Sequence, residues 1–324
     1  MSEQPGGSEF ALIQRCFSSG YPQNAATLLG VGDDASVICP PAGQHLVQSL
    51  DTQVADVHFP ANAPAQLIAQ RTLRCAVSDL AAMGATPQGF LLGLTLPDNQ
   101  TDWLDDFAHG LRDAATEFGI SLLGGDTTRG PALVISILVQ GWVATAPTPT
   151  GLTRSGARVG DHVWVSGYIG AAALSLPTVL ANPETTDGLA AAYYYPTPRL
   201  SLGQSLLGIA TAALDISDGL LQDAHHIATA SAVSLALTGE QIPTAVGCGH
   251  PDWPNCLTGG DDYELLFTAS PAQQANIQTL AQRLALPLSR IGQCLPAAPG
   301  QPPAVTVSLD GLPLQLKTSG YQHF

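Results

Sequence analysis

Residues 64–83 read PAQLIAQRTLRCAVSDLAAM and are followed by Gly84. Apolar residues recur in this stretch at helical spacing, and a glycine just beyond it is typical of a helix C-terminus, so the sequence predicts a helix. One carboxylate, Asp79, stands among its mostly apolar residues. A buried lone carboxylate is costly unless it is paired or binds a metal ion. Asp79 is therefore a candidate metal ligand, unless it makes a hydrogen bond inside the helix or lies on a solvated face.

Strands and helices alternate on either side of this helix. Before a Pro/Thr-rich stretch, the patterns predict an amphipathic helix at 102–118 and strands at 46–50, 89–96, 120–123 and 132–143. After it, they predict a strand at 162–166, helices from Gly170 and through 199–213, a final helix and strand at 271–292, and a loop at 293–304. The stretch itself, ATAPTPTG at 144–151, is typical of a linker. We predict an α/β (α+β) fold of two domains, residues 1–148 and 149–324.

The composition argues against several classes of protein. The chain has 324 residues, 45% of them hydrophobic, which is enough to bury a core and excludes disorder over most of its length. Its net charge of −15 argues against binding nucleic acid or an anionic membrane, because both need clustered cations. We find no apolar run of the roughly 18 residues that span a bilayer and no basic region of a secretory signal in MSEQPGGSEF. The six cysteines form no C-x-x-C pair, so we expect a reducing, cytoplasmic location.

Acidic residues cluster beside glycine, serine and apolar runs. The clusters are GVGDDA at 30–35, SLDT at 49–52, SDL at 78–80, LGGDTT at 123–128, LDISDG at 214–219 and GGDDYE at 259–264. We expect Asp51 at the end of a strand and Asp126 after a glycine turn. Asp215 and Ser217 alternate onto one strand face, with Asp218 at the turn that follows. One such cluster has ordinary explanations such as a helix N-cap, but several in a chain with 11% charged residues indicate a site for Mg²⁺, which takes oxygen ligands.

The chain lacks the signature of a P-loop. Its single lysine is Lys317, so no lysine is available in a glycine-rich phosphate loop. Residues 30–35 match G-x-G-x-x-A, the weak form of a dinucleotide fingerprint, and Asp51 follows at about the spacing of 20 residues that a Rossmann oxidoreductase requires. Two bare carboxylates at that turn would repel a pyrophosphate unless a divalent cation lay between them. A Rossmann oxidoreductase stays open as an alternative.

Taken as an ordered set, the motifs resemble the thiamine-monophosphate kinase family. They are G-V-G-D-D-A, S-L-D-T, D-V-H-F, V-S-D-L-A-A-M-G-A, L-L-G-G-D-T-T-R-G, L-T-R-S-G-A, D-I-S-D-G-L, G-G-D-D-Y-E-L and G-Y-Q-H-F, in that order along nearly the whole chain. The family belongs to the superfamily of aminoimidazole-ribonucleotide synthetase and selenophosphate synthetase. The resemblance implies a two-domain synthetase-type fold and a homodimer in which the mixed sheet of the N-terminal domain pairs with that of a second subunit. It implies a C-terminal α/β domain that completes the nucleotide and substrate site.

The resemblance also implies an activity and a set of site residues. The activity is ATP-dependent phosphorylation of thiamine monophosphate to thiamine diphosphate by direct in-line transfer, assisted by several Mg²⁺ ions. The positions that match Mg²⁺ sites are Asp34, Ser49, Leu50 (through its backbone carbonyl), Asp51, Asp79, Asp126, Asp215 and Asp218. Those that match nucleotide contacts are Gly125, Arg154 and Ser217. His58 and Asp261 match substrate contacts, although the family often has Glu at position 261, and Thr318 stands where relatives can place an aromatic residue against the substrate.

Elementary chemistry agrees with this activity. The acceptor is a phosphate monoester whose second pKa is about 6, so it is largely a dianion near neutral pH and needs no general base. The barrier is its repulsion from ATP, since two unit charges about 4 Å apart repel by roughly 4 kcal/mol at an effective dielectric constant of about 20. Mg²⁺ held by aspartates reduces that repulsion without lysine. We therefore expect no catalytic general base.

Two related enzymes and a non-catalytic binding module compete with this interpretation. A selenophosphate synthetase would carry a reactive cysteine with a nearby lysine in a glycine-rich N-terminal loop, a setting that Cys16 lacks. A hydrogenase-maturation relative would end in a reactive cysteine, whereas this chain ends in Phe324. A nucleotide or thiamine-phosphate binding module would have no use for bare carboxylates, which cost stability in a cleft without a metal ion.

Overall fold

The computed structural model describes residues 9–98, 100–147, 150–314, 316 and 320–321 of the chain. Its helices are α1 (Glu9–Cys16), α2 (Ala65–Ala82), α3 (Thr101–Phe118), α4 (Ala171–Ala181), α5 (Ala190–Tyr194), α6 (Leu200–Leu206), α7 (Leu220–Ser231), α8 (Trp253–Thr258) and α9 (Gln274–Leu284). Its strands are β1 (Thr27–Leu29), β2 (Val37–Ile38), β3 (Gln44–Val54), β4 (Thr86–Leu96), β5 (Ser121–Arg129), β6 (Val134–Ala144), β7 (His162–Ser166), β8 (Ala212–Asp215), β9 (Val233–Thr238), β10 (Leu265–Ala269), β11 (Leu288–Pro296), β12 (Val305–Leu309) and β13 (Leu312–Pro313). Among the described residues, no helix is both long and apolar enough to cross a bilayer.

A mixed four-stranded sheet organises the N-terminal half. Its order is β3-β6-β4-β5, with β4 and β5 parallel and the other neighbours antiparallel. Side chains alternate between the faces of a strand, so Leu92 and Ile137 enter the core that contains α2 and α3. On the opposite face of β3, Leu46 and Leu50 are 48% and 61% exposed. One face of this sheet is therefore covered by helices. The other is only partly exposed, because Gln140 and Trp142 of β6, which lie on the same face as Leu46, are each 6% exposed.

A seven-stranded sheet organises the C-terminal half. Its order is β13-β12-β9-β11-β7-β10-β8, with β12 and β9 parallel and the other neighbours antiparallel. Val163 and Val165 pack in one core with α7 and α8, whereas Trp164 and Phe267 pack in another with α6 and α9. Helices thus cover both faces of this sheet. Together the two halves confirm the predicted α/β (α+β) fold class.

Helix α2, the predicted helix at 64–83, lies between the two halves. All of its residues except Gln66 and Asp79 are buried. It packs with the N-terminal core through residues such as Leu73, while Ala81 belongs to the core shared with α6 and α9. Because the helix is enclosed on nearly every side, its polar side chains need protein partners. Asp79 is brought to the junction of the two halves.

The predicted domain boundary falls on residues 148 and 149, which lie outside the described residues. The two sheets lie on opposite sides of this boundary in the sequence. Helices α4 and α5 cross that division in space, because Val179 and Tyr193 pack in the core of the N-terminal half. The division at 148/149 therefore stays a prediction.

Several local predictions at the acidic clusters are wrong. Asp51 does not end a strand, because β3 pairs with β6 without interruption from Gln44 to Val54. Asp126 does not follow a glycine turn, because β5 continues through Gly125, whose missing side chain lets the strands approach: a Cβ there would lie 2.0 Å from the Leu92 carbonyl oxygen. Ser217 lies beyond β8 rather than on the strand face of Asp215.

Other boundaries also differ from prediction. The helix predicted through 199–213 ends at Leu206, because Gly208 follows in a left-handed conformation (φ 79°) and β8 begins at Ala212. The loop predicted at 293–304 begins only after β11 ends at Pro296, and β12 and β13 follow it. The Rossmann alternative is wrong as well. Residues 30–35 connect two short antiparallel strands, β1 and β2, whereas a dinucleotide fingerprint requires a helix after the turn.

Candidate active site

A cavity of about 610 Å³ lies where β3, α2 and the loops after β8 and α8 meet. Helices α4 and α5 and the C-terminal segment complete its wall. Carboxylates from separate segments line it: Asp51, Asp56, Asp79, Asp215, Asp218 and Asp261. His58 and Ser217 line the same cavity. Seven of the residues that the sequence nominated are thus brought together: Asp51, His58, Asp79, Asp215, Ser217, Asp218 and Asp261.

Three of these carboxylates destabilise one another's ionised forms. Burial, and then the charge of Asp79, raises the pKa of Asp51 to about 7. Burial raises the pKa of Asp79 too, although the Ser49 hydroxyl donates to its Oδ2 at 2.5 Å and opposes the shift. Burial, and then the charge of Asp79, raises the pKa of Asp215 to about 8, against a hydrogen bond of 2.6 Å from the Ser78 hydroxyl. The hydrogen bonds from Ser49 and Ser78 therefore do not offset the cost of ionising the three carboxylates together.

That cost indicates the chemistry of a ligand. Like-charged carboxylates in one partly buried site are stable together when a cation lies between them. Oxygen ligands without sulfur or imidazole nitrogen favour a hard cation such as Mg²⁺. Arg154 acts on Asp79 by charge, lowering its pKa, but its own side chain is exposed and does not line the cavity. By charge and by donor chemistry, Asp51, Asp79 and Asp215 therefore favour a bound divalent cation.

A second group of possible metal ligands lies on α7 and the loop before it. Ligand atoms of Asp218, Asp223 and His226 are within 4.8 Å of one another. Asp223 Oδ2 accepts the backbone N–H groups of Asp218 and Gly219 at 3.0 and 3.1 Å, so it fixes the loop that carries Asp218. Burial, and then the charge of Asp218, raises the pKa of Asp223 to about 7. The sequence could have indicated that Asp223 and His226 lie close together, since residues three apart on a helix share one face.

The predicted substrate contacts lie in the cavity and are held by the protein. Nδ1 of His58 accepts the backbone N–H of Val54 at 3.0 Å, which places the proton of a neutral ring on Nε2. The carbonyl oxygen of His58 accepts the Tyr193 hydroxyl at 2.9 Å. Asp261 forms an ion pair of 2.7 Å with Arg71, a side chain that sequence reasoning missed.

Six nominated residues do not line this cavity: Asp34, Ser49, Leu50, Gly125, Asp126 and Arg154. Ser49 still reaches the site through its hydrogen bond to Asp79. Asp126 pairs across the sheet with Gly93, in the row that contains Thr52, so it lies on the face of the sheet opposite to Asp51. Asp34 is exposed in the turn between β1 and β2.

An aromatic residue near the C-terminus does reach the cavity. Tyr321 lines it, and its backbone N–H donates to the Asp218 carbonyl oxygen at 3.0 Å. Gln222 Nε2 donates to the Tyr321 carbonyl oxygen at 2.8 Å, so α7 holds this segment in place. Thr318, the position nominated for that contact, lies outside the described residues. The terminal motif GYQHF carried the signal, but the sequence did not show which residue of the segment enters the site.

Known proteins resemble this chain in sequence and in fold. The sequence profile called AIR synthase related protein, N-terminal domain, matches residues 32–143. Thiamine-monophosphate kinase of Escherichia coli (strain K12) is 36% identical over 327 residues, which cover 98% of each chain. The crystal structure of thiamine-monophosphate kinase from Stenotrophomonas maltophilia K279a has a TM-score of 0.80 and 38% identity over 94% of this chain and 97% of that one. A structure of AaThiL complexed with AMPPCP and TMP has a TM-score of 0.75 and 25% identity over 100% of this chain and 99% of that one.

Proposed function

The chain belongs to the thiamine-monophosphate kinase family, and we propose that it transfers the γ-phosphoryl group of ATP to thiamine monophosphate, forming thiamine diphosphate. The AaThiL structure, which matches the whole chain, is of a complex with TMP and with AMPPCP, an ATP analogue. This complex supports thiamine monophosphate and ATP as the two substrates. The related selenophosphate synthetase and hydrogenase-maturation activities have no comparable support in the described site. We place the reaction in the cytoplasm, because all six cysteines are free, as a reducing compartment favours.

The observation that carries the proposal is the carboxylate cluster Asp51, Asp79 and Asp215 in the cavity that also contains His58 and Asp261. We propose that the three carboxylates, with Asp218, hold Mg²⁺. Bound Mg²⁺ would neutralise phosphate charge and favour in-line transfer. A binding module without catalysis would keep this costly cluster for no purpose, so the cluster favours the enzyme.

The chain's own residues position the reactants. We propose that His58 and Asp261 contact the thiamine ester, and that Tyr321 supplies the aromatic contact for which the resemblance placed a threonine, Thr318, in this chain. The acceptor phosphate is itself the nucleophile and is already largely a dianion, so no side chain is needed as a general base. The nucleotide roles of Gly125, Arg154 and Ser217, and the metal roles of Asp34, Ser49, Leu50 and Asp126, stay predictions.

We also propose that the chain is a homodimer that pairs through the face of the four-stranded sheet that carries Leu46 and Leu50. Leu46 and Leu50 are exposed there, and Asp126 lies on the same face. Exposed apolar side chains on a flat sheet face favour burial against another protein surface. Sedimentation equilibrium tests this point: the wild type should have twice the chain mass, and Leu46→Lys should shift it to the monomer.

The experiment that tests the activity uses purified protein, ATP, Mg²⁺ and thiamine monophosphate, with chromatographic detection of thiamine diphosphate. We expect product only when all three small molecules are present, and none after addition of EDTA. AMP and NAD in place of ATP are the controls. Stoichiometric release of inorganic phosphate without thiamine diphosphate would contradict the proposal.

A further inference from the structure

One buried cation connects the two predicted substrate contacts. Arg71 on α2 is 3% exposed, yet it lines the main cavity. Its Nη2 donates to Asp261 Oδ1 at 2.7 Å, and its Nη1 donates to the carbonyl oxygen of Tyr193 at 2.8 Å. Its guanidinium lies over the Tyr193 ring, 4.0 Å from the ring centroid. Both terminal nitrogens are therefore bound to protein groups from different segments of the chain.

Tyr193 extends this connection to His58. Its hydroxyl donates to the His58 carbonyl oxygen at 2.9 Å. Since Arg71 holds the Tyr193 backbone and stacks on its ring, the place of His58 depends on Arg71 through one intermediate residue. His58 and Asp261 lie on opposite sides of α5 in the sequence, but the same guanidinium contacts Asp261 and the residue that donates to the His58 carbonyl.

The backbone around Asp261 shows that its place is imposed by contacts. Asp261 and Tyr263 are not glycines, yet both have left-handed φ angles, 62° and 52°. Such conformations persist where the surroundings hold them, and they concentrate at functional sites. The Tyr263 hydroxyl donates to the same Oδ1 that Arg71 binds, at 3.2 Å. Oδ1 of Asp261 is thus held by two protein donors, the Arg71 guanidinium and the Tyr263 hydroxyl.

We propose that Arg71 is a positioning residue that sets the recognition of the thiamine ester by holding Asp261 directly and His58 through Tyr193. This inference rests on the proposed function and names a residue that determines its substrate specificity. Arg71 donates one N–H of each terminal nitrogen to these groups, and its buried Nε has no hydrogen-bond partner among the described residues. The planar fork of an arginine can donate in two fixed directions while stacking on a ring, which a lysine ammonium cannot do.

The test compares Arg71→Lys, Asp261→Glu, the double variant and Tyr193→Phe with the wild type. We expect Arg71→Lys to raise the KM for thiamine monophosphate about tenfold or more and to leave the KM for ATP within about twofold. Asp261→Glu should have a similar effect. In the double variant the longer Glu side chain meets the shorter Lys, so we expect at least about a fivefold recovery of kcat/KM over Arg71→Lys. Recovery is a result that general damage to the fold would not produce.

Arg74→Lys is the matched control. Arg74 lies on the same helix, is 6% exposed and forms an ion pair with Glu117, but it does not line the cavity. We expect Arg74→Lys to lower Tm, as Arg71→Lys does, but to leave the KM for thiamine monophosphate unchanged. Equal KM values in the two arginine variants would overturn the inference.

Two further outcomes are separable. If Arg71→Lys fails to fold, Tyr193→Phe tests the connection to His58 and Asp261→Glu the direct ion pair: a raised KM for thiamine monophosphate in both variants supports the inference, and an unchanged KM in either overturns it. A wild type that makes no thiamine diphosphate overturns the proposed function and this inference with it. A wild type that does, beside an Arg71→Lys variant with unchanged KM, overturns this inference alone.

Discussion

Asp51, Asp79 and Asp215 show how single side chains define the chemistry of the site. Each would be an ordinary acid on a solvated surface, but burial raises the pKa of all three, and the charge of Asp79 adds to the shift at Asp51 and Asp215. The physical cost of keeping them together is removed when a cation binds. The proposed function therefore needs these carboxylates together and ionised, whereas without a metal ion their ionisation lowers the stability of the fold.

Asp51→Asn tests that opposition. We expect turnover of thiamine monophosphate to fall about 100-fold or more, because a proposed metal ligand is lost. We expect Tm in EDTA at pH 8 to rise, because one of the repelling carboxylates is gone. Asp106→Asn, an exposed position on α3, is the control and should change neither quantity. Full activity of Asp51→Asn would contradict the metal assignment.

His58→Ala tests the substrate end of the cavity. We expect the KM for thiamine monophosphate to rise about tenfold and the KM for ATP to change little, because His58 lines the cavity and is a proposed contact of the thiamine ester. Steady-state kinetics with each substrate varied in turn measures the split. His45→Ala, an exposed position on β3, is the control. Equal increases in both KM values would indicate a role in both substrate sites.

At the scale of elements, α2 determines where the site forms. It is enclosed by both halves, and consecutive residues serve different partners: Ser78 donates to Asp215 on β8, and Asp79 accepts from Ser49 on β3. Close packing holds the helix in this place. A Cβ on Gly203 of α6 would lie 1.9 Å from the carbonyl oxygen of Ala81 on α2, so this helix pair requires a glycine at the contact.

Gly203→Ala should therefore separate α6 from α2. We expect a loss of about 1–3 kcal/mol in the free energy of unfolding, as for other overpacked positions, measured by urea denaturation. Gly247→Ala is the control, because a Cβ at Gly247 would meet nothing within 4 Å. Equal free energies of unfolding of the two variants would contradict this prediction, because they would show that α6 can move away from α2 without loss of stability.

At the scale of the whole molecule, the raised pKa values connect the site to folding. Asp51, Asp215 and Asp223 have pKa values of about 7, 8 and 7 in the folded chain against 3.8 for an ordinary aspartate. Between the ordinary pKa of 3.8 and the raised values of about 7 to 8, the folded state binds more protons than the unfolded state does. Linkage then requires that stability fall as pH rises through this window.

We expect Tm in EDTA to decrease from pH 5.5 to pH 8.5, and Mg²⁺ to raise Tm most at the upper end, where the carboxylates are ionised. Differential scanning calorimetry across this range measures both effects. The double variant Asp51→Asn/Asp215→Asn should flatten the pH dependence and reduce the response to Mg²⁺. A Tm that rises with pH in EDTA would contradict the assignment of the raised pKa values.

Local patterns in the chain were enough to predict α2, α3, the apolar strands and the acidic clusters, because helical and strand periodicity and turn chemistry act over a few residues. The ordered motifs were enough to predict the family. Strand order and register lay beyond those patterns, and they place Asp51 in the cavity and Asp126 on the other face of the same sheet. The same holds for Arg71, Tyr193 and Tyr321, whose partners are distant in sequence. A side chain's role here follows from which segments pack beside it, and that depends on the balance of packing over the whole fold rather than on any local pattern.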